Sequence, residues 1–252
     1  MQNGETEQSR NIICGRNPVL EAIRSGREID RLLLAHGASG GTVTVIVAKC
    51  REKGILIKEI SPQKMDYYCG GAHHQGVAIV YAAQEYATVE ELLQTAAERG
   101  EPPFLILCDE IEDPHNLGAI IRTAEACGVH GIIIPKRRSA SLNATVAKSA
   151  SGALEYMKVA RVTNLVQVIE DLKKQGVWIF GADMNGADYT KTDFSGPCAL
   201  VIGNEGHGLG ALVAKKCDAI VSLPMKGKIN SLNASVAAGV FMYEVMRRRG
   251  EA

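Results

Sequence analysis

The sequence predicts an α/β fold with a largely parallel sheet that carries helices on both faces, and three observations predict it. Apolar, strand-like runs alternate along the chain with segments of helical periodicity. The run PPFLILCDEI at 102–111 reads as a buried strand that ends in acidic residues, and CALVIGNE at 198–205 as a strand that enters a glycine-rich loop. In such sheets ligands bind at the carboxyl ends of the strands, so these ends are candidate sites.

Composition and charge exclude several classes of protein. The chain has 252 residues, of which 46% are hydrophobic and 22% charged, so it is an ordered globular protein of one or two domains. Twenty-eight basic residues balance 28 acidic ones, which argues against holding nucleic acid by bulk charge alone. Specific RNA recognition is compatible with this balance, because it needs placed cations and no overall excess. One Trp and four Phe argue against a broad stacking platform.

Cysteine usage and the N-terminus point to the cytoplasm. The seven cysteines form no CxxC pair, which argues against a zinc cluster and against a disulfide framework, and fits a reducing compartment. We expect no metal site, and we interpret His73 and His74 as turn residues because no third ligand lies nearby. No apolar run approaches the roughly 20 residues of a membrane span. The polar start of the chain does not resemble a secretory signal.

Composition also suggests the domain organisation. Residues 84–101 hold five acidic residues and one basic residue, whereas 1–83 and 102–252 each carry a net charge of +2. We predict a flexible tail over 1–10, a first domain over 11–83, an acidic linker or short helix over 84–101, and a second domain over 102–252.

The order of elements follows from periodicity and end signals. In the first domain we expect helices over 17–26 and 43–54, strands over 31–35, 55–60 and 76–83, and a turn-rich loop over 66–76. In the second domain we expect strands over 102–111, 131–135, 177–183, 198–205 and 219–224, and helices over 116–129, 168–176, 212–217 and 231–249.

The first candidate segment is DPHNLGAIIRTAEACG at 113–128. Asn116 lies where a helix starts, and Arg122 follows six residues later, near the same helical face. Taken alone, the pair is better explained as a capping Asn and a surface Arg than as a functional site.

The second candidate segment is LVIGNEGHGLG at 200–210. Its glycines allow the backbone to approach a ligand closely, but GxxGxG is not the dinucleotide fingerprint GxGxxG. Glu205 inside the loop would repel a pyrophosphate and could favour a cationic ligand. A glycine-rich turn that closes the sheet is the structural alternative.

The third candidate segment is LPMKGKINSLNASVAAG at 223–239. Ser231 and Asn233 open a helix there, which offers free backbone N–H groups and two short polar side chains. A capping pair without further function is the alternative.

Together the three segments are far more specific than they are singly. The order NLGxxxRTAxxxG, GNEGxG and LPMxGxxxSLNxSVAxG resembles the three motifs of the SpoU/TrmH family, in the SPOUT class of RNA 2′-O-ribose methyltransferases. The first lobe, with CGRNPVLEAI and HHQGVAIV, resembles the substrate-binding domain of these enzymes. The subgroup that modifies guanosine in bacterial 23S ribosomal RNA is the most similar one.

The resemblance implies properties that spacing alone would not suggest. It implies a small N-terminal α/β substrate-binding domain and a C-terminal α/β domain with a deep trefoil knot, a feature almost absent from other folds. It also implies S-adenosylmethionine as cofactor and a homodimer whose interface helps to build the active site. By position, the cofactor-binding residues would be Gly203, Asn204, Gly206, Leu223, Met225 and Leu232. The reaction site would be lined by Asn116, Arg122, Glu205, Ser231 and Asn233.

The roles of the polar residues follow from the chemistry of methyl transfer to a ribose hydroxyl. A guanidinium is a reluctant base, so we expect Arg122 to contact a phosphate or the 2′-oxygen, with Glu205 and Asn116 orienting Arg122 and the ribose. Ser231 and Asn233 could hydrogen-bond the cofactor or the hydroxyl. We expect the basic run 136–138 to contact RNA or to lie on a solvated face.

Three alternatives stay open at this point. Transfer RNA could be the substrate instead of ribosomal RNA. A Rossmann-like nucleotide-dependent oxidoreductase is disfavoured by the missing fingerprint and by Glu205 in the loop. A non-catalytic RNA-binding module would need none of the polar set around Asn116.

The Arg run at 247–249 has a structural explanation as a helix end that complements the helix dipole.

Overall fold

The computed structural model describes residues 11–25, 29–82, 84–229 and 231–250. The α/β class is confirmed, and the chain divides into two compact units. One comprises the chain up to Glu85 with residues 141–144, and the other comprises 86–140 with 145–252. The predicted tail over 1–10 and the predicted helix end at Gly26 lie outside the described residues.

The first unit is built on a four-stranded sheet with the strand order β1-β4-β2-β3. Its elements are β1 (Ile12–Cys14), α1 (Arg16–Arg24), β2 (Ile29–Ala35), α2 (Gly41–Glu52), β3 (Leu56–Ile60), α3 (Pro62–Cys69) and β4 (Val77–Tyr81). Strand β4 is antiparallel to β1 and β2, whereas β2 and β3 are parallel. The predicted helices and strands of this unit are confirmed, with small shifts at their ends.

The prediction of a turn-rich loop over 66–76 is wrong for its first residues, because α3 extends to Cys69. The Ser61 hydroxyl accepts a hydrogen bond from the Lys64 N–H, and Pro62 occupies the first turn. A Ser–Pro pair is a helix-start signal, and Gly70 ends the helix in the left-handed conformation.

The two sequence segments that resemble the substrate-binding domain meet in space. The Arg16 N–H donates to Gln75 Oε1 at 3.0 Å, and the Arg16 guanidinium donates to the Gln75 carbonyl at 3.2 Å and the Ser39 carbonyl at 3.0 Å. His74 accepts from the Gly76 N–H at 2.9 Å, so it is a turn residue as predicted.

The second unit is built on a six-stranded, all-parallel sheet with the strand order β10-β8-β9-β5-β6-β7. Its strands are β5 (Phe104–Cys108), β6 (Gly131–Pro135), β7 (Val159–Val162), β8 (Trp178–Asp188), β9 (Cys198–Ile202) and β10 (Ala219–Ser222). Its helices are α4 (Val89–Arg99), α5 (Pro114–Ala126), α6 (Ala144–Ala150), α7 (Leu165–Lys174), α8 (Ala211–Lys216) and α9 (Ala234–Gly250). The predicted parallel sheet is confirmed, whereas β7 is additional to the predicted strands. The trefoil knot stays a prediction.

Helices cover both faces of this sheet. The side chains of Leu105, Ile133 and Val201 share one core cluster with residues of α4, α7 and α8. Helices α5 and α9 pack against each other and against β6 and β9 from the opposite face. All strand carboxyl ends of a parallel sheet open at one edge, and this edge positions the site described below.

Residues 84–101 contain the expected short helix. Thr88 and Glu91 form a capping box at the start of α4, with the Glu91 N–H donating to the Thr88 hydroxyl at 3.2 Å. Leu92 is fully buried in the core of the second unit and leaves no room for a side chain at Gly131. Residues 86–99 therefore form part of the second unit.

The arginines at the end of α9 are engaged within the fold. Arg247 and Arg248 both pair with Glu244. Arg249 donates to the carbonyls of Pro102, Pro103 and Gly196. These contacts support the structural explanation of the Arg run.

Close packing at Gly118 brings α5 against α6. A Cβ on Gly118 would lie 2.4 Å from Ser149 Cβ and 2.8 Å from the Val146 carbonyl oxygen. We predict that Gly118→Ala lowers the free energy of unfolding by about 1–3 kcal/mol, because backbone atoms cannot yield to the added methyl. Gly239→Ala in α9 is the matched control, since its nearest neighbour would be 3.6 Å away, and it should leave stability unchanged or raise it by up to about 1 kcal/mol. Denaturant unfolding measures both, and equal stability of the two variants would contradict the packing argument.

Candidate functional site

A cavity of about 380 Å³ opens at the carboxyl ends of β9 and β10 and beside the middle of β8 in the second unit. This volume is in the range of small-molecule binding sites. Its wall is formed by residues of four segments: Ala182–Asn185, Ile202–Gly208, Val221–Met225 and Ser231–Phe241. No Lys or Arg is among the described residues that line it, whereas Asp183 and Glu205 are. The cavity therefore favours a neutral or cationic ligand over an anionic one.

The glycine-rich loop at 203–208 folds back on itself at the cavity wall. Asn204 and Gly208 exchange backbone hydrogen bonds of 3.0 and 2.9 Å. A Cβ on Gly203 would lie 2.4 Å from the carbonyl carbon of Gly208, so only glycine allows this approach. The Gly206 N–H donates to Asn204 Oδ1 at 2.7 Å and fixes the turn from inside.

Two acidic residues directly after β5 hold the ends of this loop. Asp109 Oδ2 accepts from the Gly210 N–H at 2.7 Å, and burial raises the pKa of the Asp109 carboxyl. The Glu110 carbonyl accepts from Asn204 Nδ2 at 3.0 Å, and its carboxylate pairs with His207 at 3.1 Å. The hydrogen bond from Arg138, assisted by His207, lowers the pKa of the Glu110 carboxyl. Neither acid was among the predicted site residues, although both belong to the acidic end of the strand predicted over 102–111.

Glu205 lies at the centre of a hydrogen-bonded cluster of three side chains. Its Oε1 accepts from Asn116 Nδ2 at 2.7 Å, from Asn233 Nδ2 at 2.5 Å and from the Ala234 N–H at 3.3 Å. Asn233 Nδ2 also donates to Asn116 Oδ1 at 2.9 Å. One predicted residue from each motif thus meets in one network.

Asn233 also caps helix α9. Its Oδ1 accepts from the Ser235 and Val236 N–H groups at 3.0 and 3.2 Å. The capping interpretation and the site interpretation of Asn233 are therefore both satisfied, because the amide uses its oxygen for the helix and its nitrogen for Glu205.

Arg122 does not join this cluster within the chain, contrary to our expectation that Glu205 and Asn116 would orient it. Its guanidinium is exposed and donates to Ser151 Oγ at 3.4 Å. Six helical residues rotate by about 600°, which leaves Arg122 about 120° away from the face of Asn116. The prediction that the two residues lie near the same helical face is therefore wrong.

The six predicted cofactor-binding residues all line the cavity, as do Glu205 and Ser231. The prediction did not include the wall formed by Asp183, Met184 and Asn185, which lie in β8 just beyond the residues that pair with β9. It also missed Phe241, which reaches the cavity from the third turn of α9.

In the basic segment 136–138, Arg138 pairs with Glu110 at 2.8 Å. The side chains of Lys136 and Arg137 have no hydrogen-bond or ion-pair partner among the described residues. The described part of the chain holds no cluster of three or more His, Cys, Asp or Glu residues arranged to bind a metal. None of its helices combines the length and apolarity that crossing a membrane requires.

Comparison with known proteins assigns the chain to a family. A family model described as the SpoU rRNA Methylase family matches residues 103–243, more than half of the chain. The chain belongs to the SpoU rRNA methylase family. A second model, described as RNA 2′-O ribose methyltransferase substrate binding, matches residues 12–87. The recognition from the three motifs and the first lobe is confirmed.

Full-length relatives agree with this assignment. YacO of Bacillus subtilis (strain 168), placed in the TrmH family of tRNA/rRNA methyltransferases, is 46% identical over 243 residues, covering 96% of this chain and 97% of that protein. A TrmH-family relative from Staphylococcus aureus (strain MSSA476) is 44% identical over 239 residues, covering 94% of this chain and 96% of that protein.

Solved structures of similar fold include two with a bound cofactor. The SpoU methyltransferase AviRb from Streptomyces viridochromogenes, in complex with AdoMet, has a TM-score of 0.61 and 26% identity, covering 96% of this chain and 91% of that one. An AdoMet-bound rRNA methyltransferase from Sinorhizobium meliloti has a TM-score of 0.58 and 27% identity, covering 94% and 87%. Both complexes agree with the cofactor predicted here.

Proposed function

We propose that this RNA methyltransferase transfers a methyl group from S-adenosylmethionine to the ribose 2′-hydroxyl of a guanosine in 23S ribosomal RNA, in the cytoplasm. The observation that carries the proposal is that a cavity and a fixed carboxylate lie side by side in the second unit. A cavity walled by a folded glycine loop lies beside a carboxylate that two amides from distant helices hold in place.

The residues that line the cavity fit the cofactor. Met184, Leu223, Met225 and Leu232 offer apolar surface, and the glycine loop offers close backbone approach. Asp183 and Glu205 give the wall a negative charge, which suits a cationic sulfonium and opposes the pyrophosphate of a dinucleotide. When bound, the cofactor would supply an electrophilic methyl group on sulfur. This wall argues against the oxidoreductase alternative.

Glu205 is the residue best placed to orient the ribose. Its Oε1 is occupied by three donors, whereas its Oε2 has no hydrogen-bond partner among the described residues. We assign Oε2 to the substrate hydroxyl, which is a poor nucleophile until its proton is shared. Asn116 and Asn233 keep the carboxylate in one orientation, and Ser231 lines the same cavity as Glu205. Such fixed groups assist methyl transfer mainly by positioning.

Within its own chain Arg122 contacts Ser151 and not the Glu205 cluster, so in the proposed mechanism it acts on the site of a second copy of the chain. The face of α9 that points away from α5 and the sheet exposes Val236, Val240 and Tyr243 at helical spacing. An apolar stripe of this kind is typical of a protein interface, so we propose a homodimer. In the dimer, Arg122 of one protomer would serve the reaction site of its partner by its charge, contacting a phosphate or the 2′-oxygen.

The first unit and the basic segment 136–138 are the proposed RNA contacts. The match of residues 12–87 to a substrate-binding model supports this role for the first unit. Lys136 and Arg137 can meet phosphates without first breaking an ion pair, whereas Arg138 is held by Glu110.

Mapping of ribose methylation tests the substrate directly. We predict that a strain without this gene lacks one 2′-O-methylguanosine in 23S ribosomal RNA, and that the wild-type gene restores it. Loss of a methyl group from transfer RNA alone would overturn the ribosomal assignment.

The role of the Glu205 carboxylate is tested with the purified enzyme. Glu205→Gln should lower the methylation rate by about 10²–10³, the cost of losing a preorganised polar group. Glu125→Gln, which removes an exposed negative charge on α5, is the control and should behave as wild type.

A mixing experiment tests the shared site. Arg122→Ala and Glu205→Gln should each be nearly inactive, because each removes one half of every composite site. Subunits exchanged at random should recover about a quarter of the wild-type activity, since half of the dimers are mixed and each has one intact site. If both residues act within one chain, the mixture stays as inactive as the separate variants.

A further inference from the structure

Glu110 has a set of contacts that the proposed reaction does not use. Its two carboxylate oxygens are divided between two segments, with Oε1 accepting from Arg138 Nη1 at 2.8 Å and Oε2 paired with His207 Nε2 at 3.1 Å. Its backbone carbonyl accepts from Asn204 Nδ2 at 3.0 Å. Glu110 thus contacts Asn204 and His207 in the glycine loop and Arg138 in the basic segment.

The backbone supports the view that this arrangement is specified. Glu110 and Arg138, the two partners of the ion pair, both adopt the left-handed region, with φ of +58° and +53°. Residues with a side chain avoid this region unless their surroundings compel it. The two partners of the 2.8 Å ion pair therefore both adopt a backbone conformation that is uncommon for residues with a side chain.

The glycine loop is held at Glu205 and at His207, and both of these residues line the cavity. On one side the amide cluster fixes Glu205. On the other side His207, which lines the cavity, has the Glu110 carboxylate as its one hydrogen-bond partner among the described residues. Without that carboxylate, the second side would keep only the Asn204 amide and the contact of Asp109 with the Gly210 N–H, and neither of them holds His207.

We propose that Glu110 is a positioning residue for the cofactor, which acts by holding His207 and the loop 203–208 in the shape that binds S-adenosylmethionine. The inference rests on the proposed cofactor site. Glu110 itself does not line the cavity, and the cavity residue that its carboxylate contacts is His207, so the carboxylate acts on binding through His207. Its second oxygen, held by Arg138, keeps the carboxylate turned toward the loop.

Calorimetric binding of S-adenosylhomocysteine by the full chain tests this inference. The variants are Glu110→Gln, His207→Gln and the double variant. Glu112→Gln is the matched control, because it removes the same charge two residues away, where the side chain is exposed and makes no hydrogen bond to the loop. The free energy of unfolding of each variant is measured alongside.

We expect Glu110→Gln and His207→Gln each to weaken binding by about three- to tenfold, the range for one partly exposed, charge-assisted hydrogen bond. The double variant should bind no more weakly than Glu110→Gln, because both changes remove the same interaction. Glu112→Gln should bind as wild type. If Glu110 only stabilised the fold, its substitution would lower the free energy of unfolding, and the effects of the two substitutions on binding would not overlap in this way.

Three results would overturn the inference: unchanged binding by Glu110→Gln, effects of the two single variants that multiply in the double variant, or an equal effect of Glu112→Gln. If Glu110→Gln does not fold, His207→Gln decides alone, and wild-type affinity for that variant rejects the proposal. Failure of the wild-type chain to bind S-adenosylhomocysteine would instead reject the cofactor site itself, so the two failures are distinguishable.

Discussion

The carboxylate of Glu205 is the interaction on which the rest of the site depends. It lies in the glycine loop, and its position is held by Asn116 at the start of α5 and Asn233 at the start of α9. These residues are separated by 89 and 28 positions from Glu205 in the chain. The network therefore forms only when the parallel sheet has brought three strand-to-helix junctions to one edge.

Close backbone packing makes this convergence sterically feasible. Gly118 lets α5 lie against α6, and Gly203 lets the loop fold onto Gly208. At both positions an added Cβ atom would lie 2.4 Å from its nearest neighbour, which is too close for any residue with a side chain. The polar groups can then be held by short hydrogen bonds, and Asn233 can serve the helix and the carboxylate with opposite ends of one amide.

The parts of the site that the sequence could predict are those carried by local signals and motif order. Alternating apolar runs predicted the parallel sheet, and the matched motifs located all six cavity residues assigned to the cofactor.

The roles of Asp109 and Glu110 could not be predicted, since their partners in the glycine-rich segment lie about a hundred residues away and nothing local marks the pairing. The orientation of Arg122 was missed because a six-residue spacing is too far from a whole number of turns to keep one face. Helix α3 was missed because its Ser–Pro start was overlooked beside the glycines that follow.

The central claim is that the hold of Asn233 on Glu205 is a requirement of catalysis, separate from its capping of α9. Comparing Asn233→Ser with Asn233→Ala tests it most directly, because Ser is a good cap but cannot supply the amide donor. Asn233→Ser should keep the free energy of unfolding close to wild type, whereas Asn233→Ala should lose about 1 kcal/mol. Both should lower the single-turnover methylation rate by about 10²-fold or more, as expected when a preorganised group is released. If Asn233→Ser instead methylates RNA at the wild-type rate, Asn233 is only a helix cap and the account of the site is wrong.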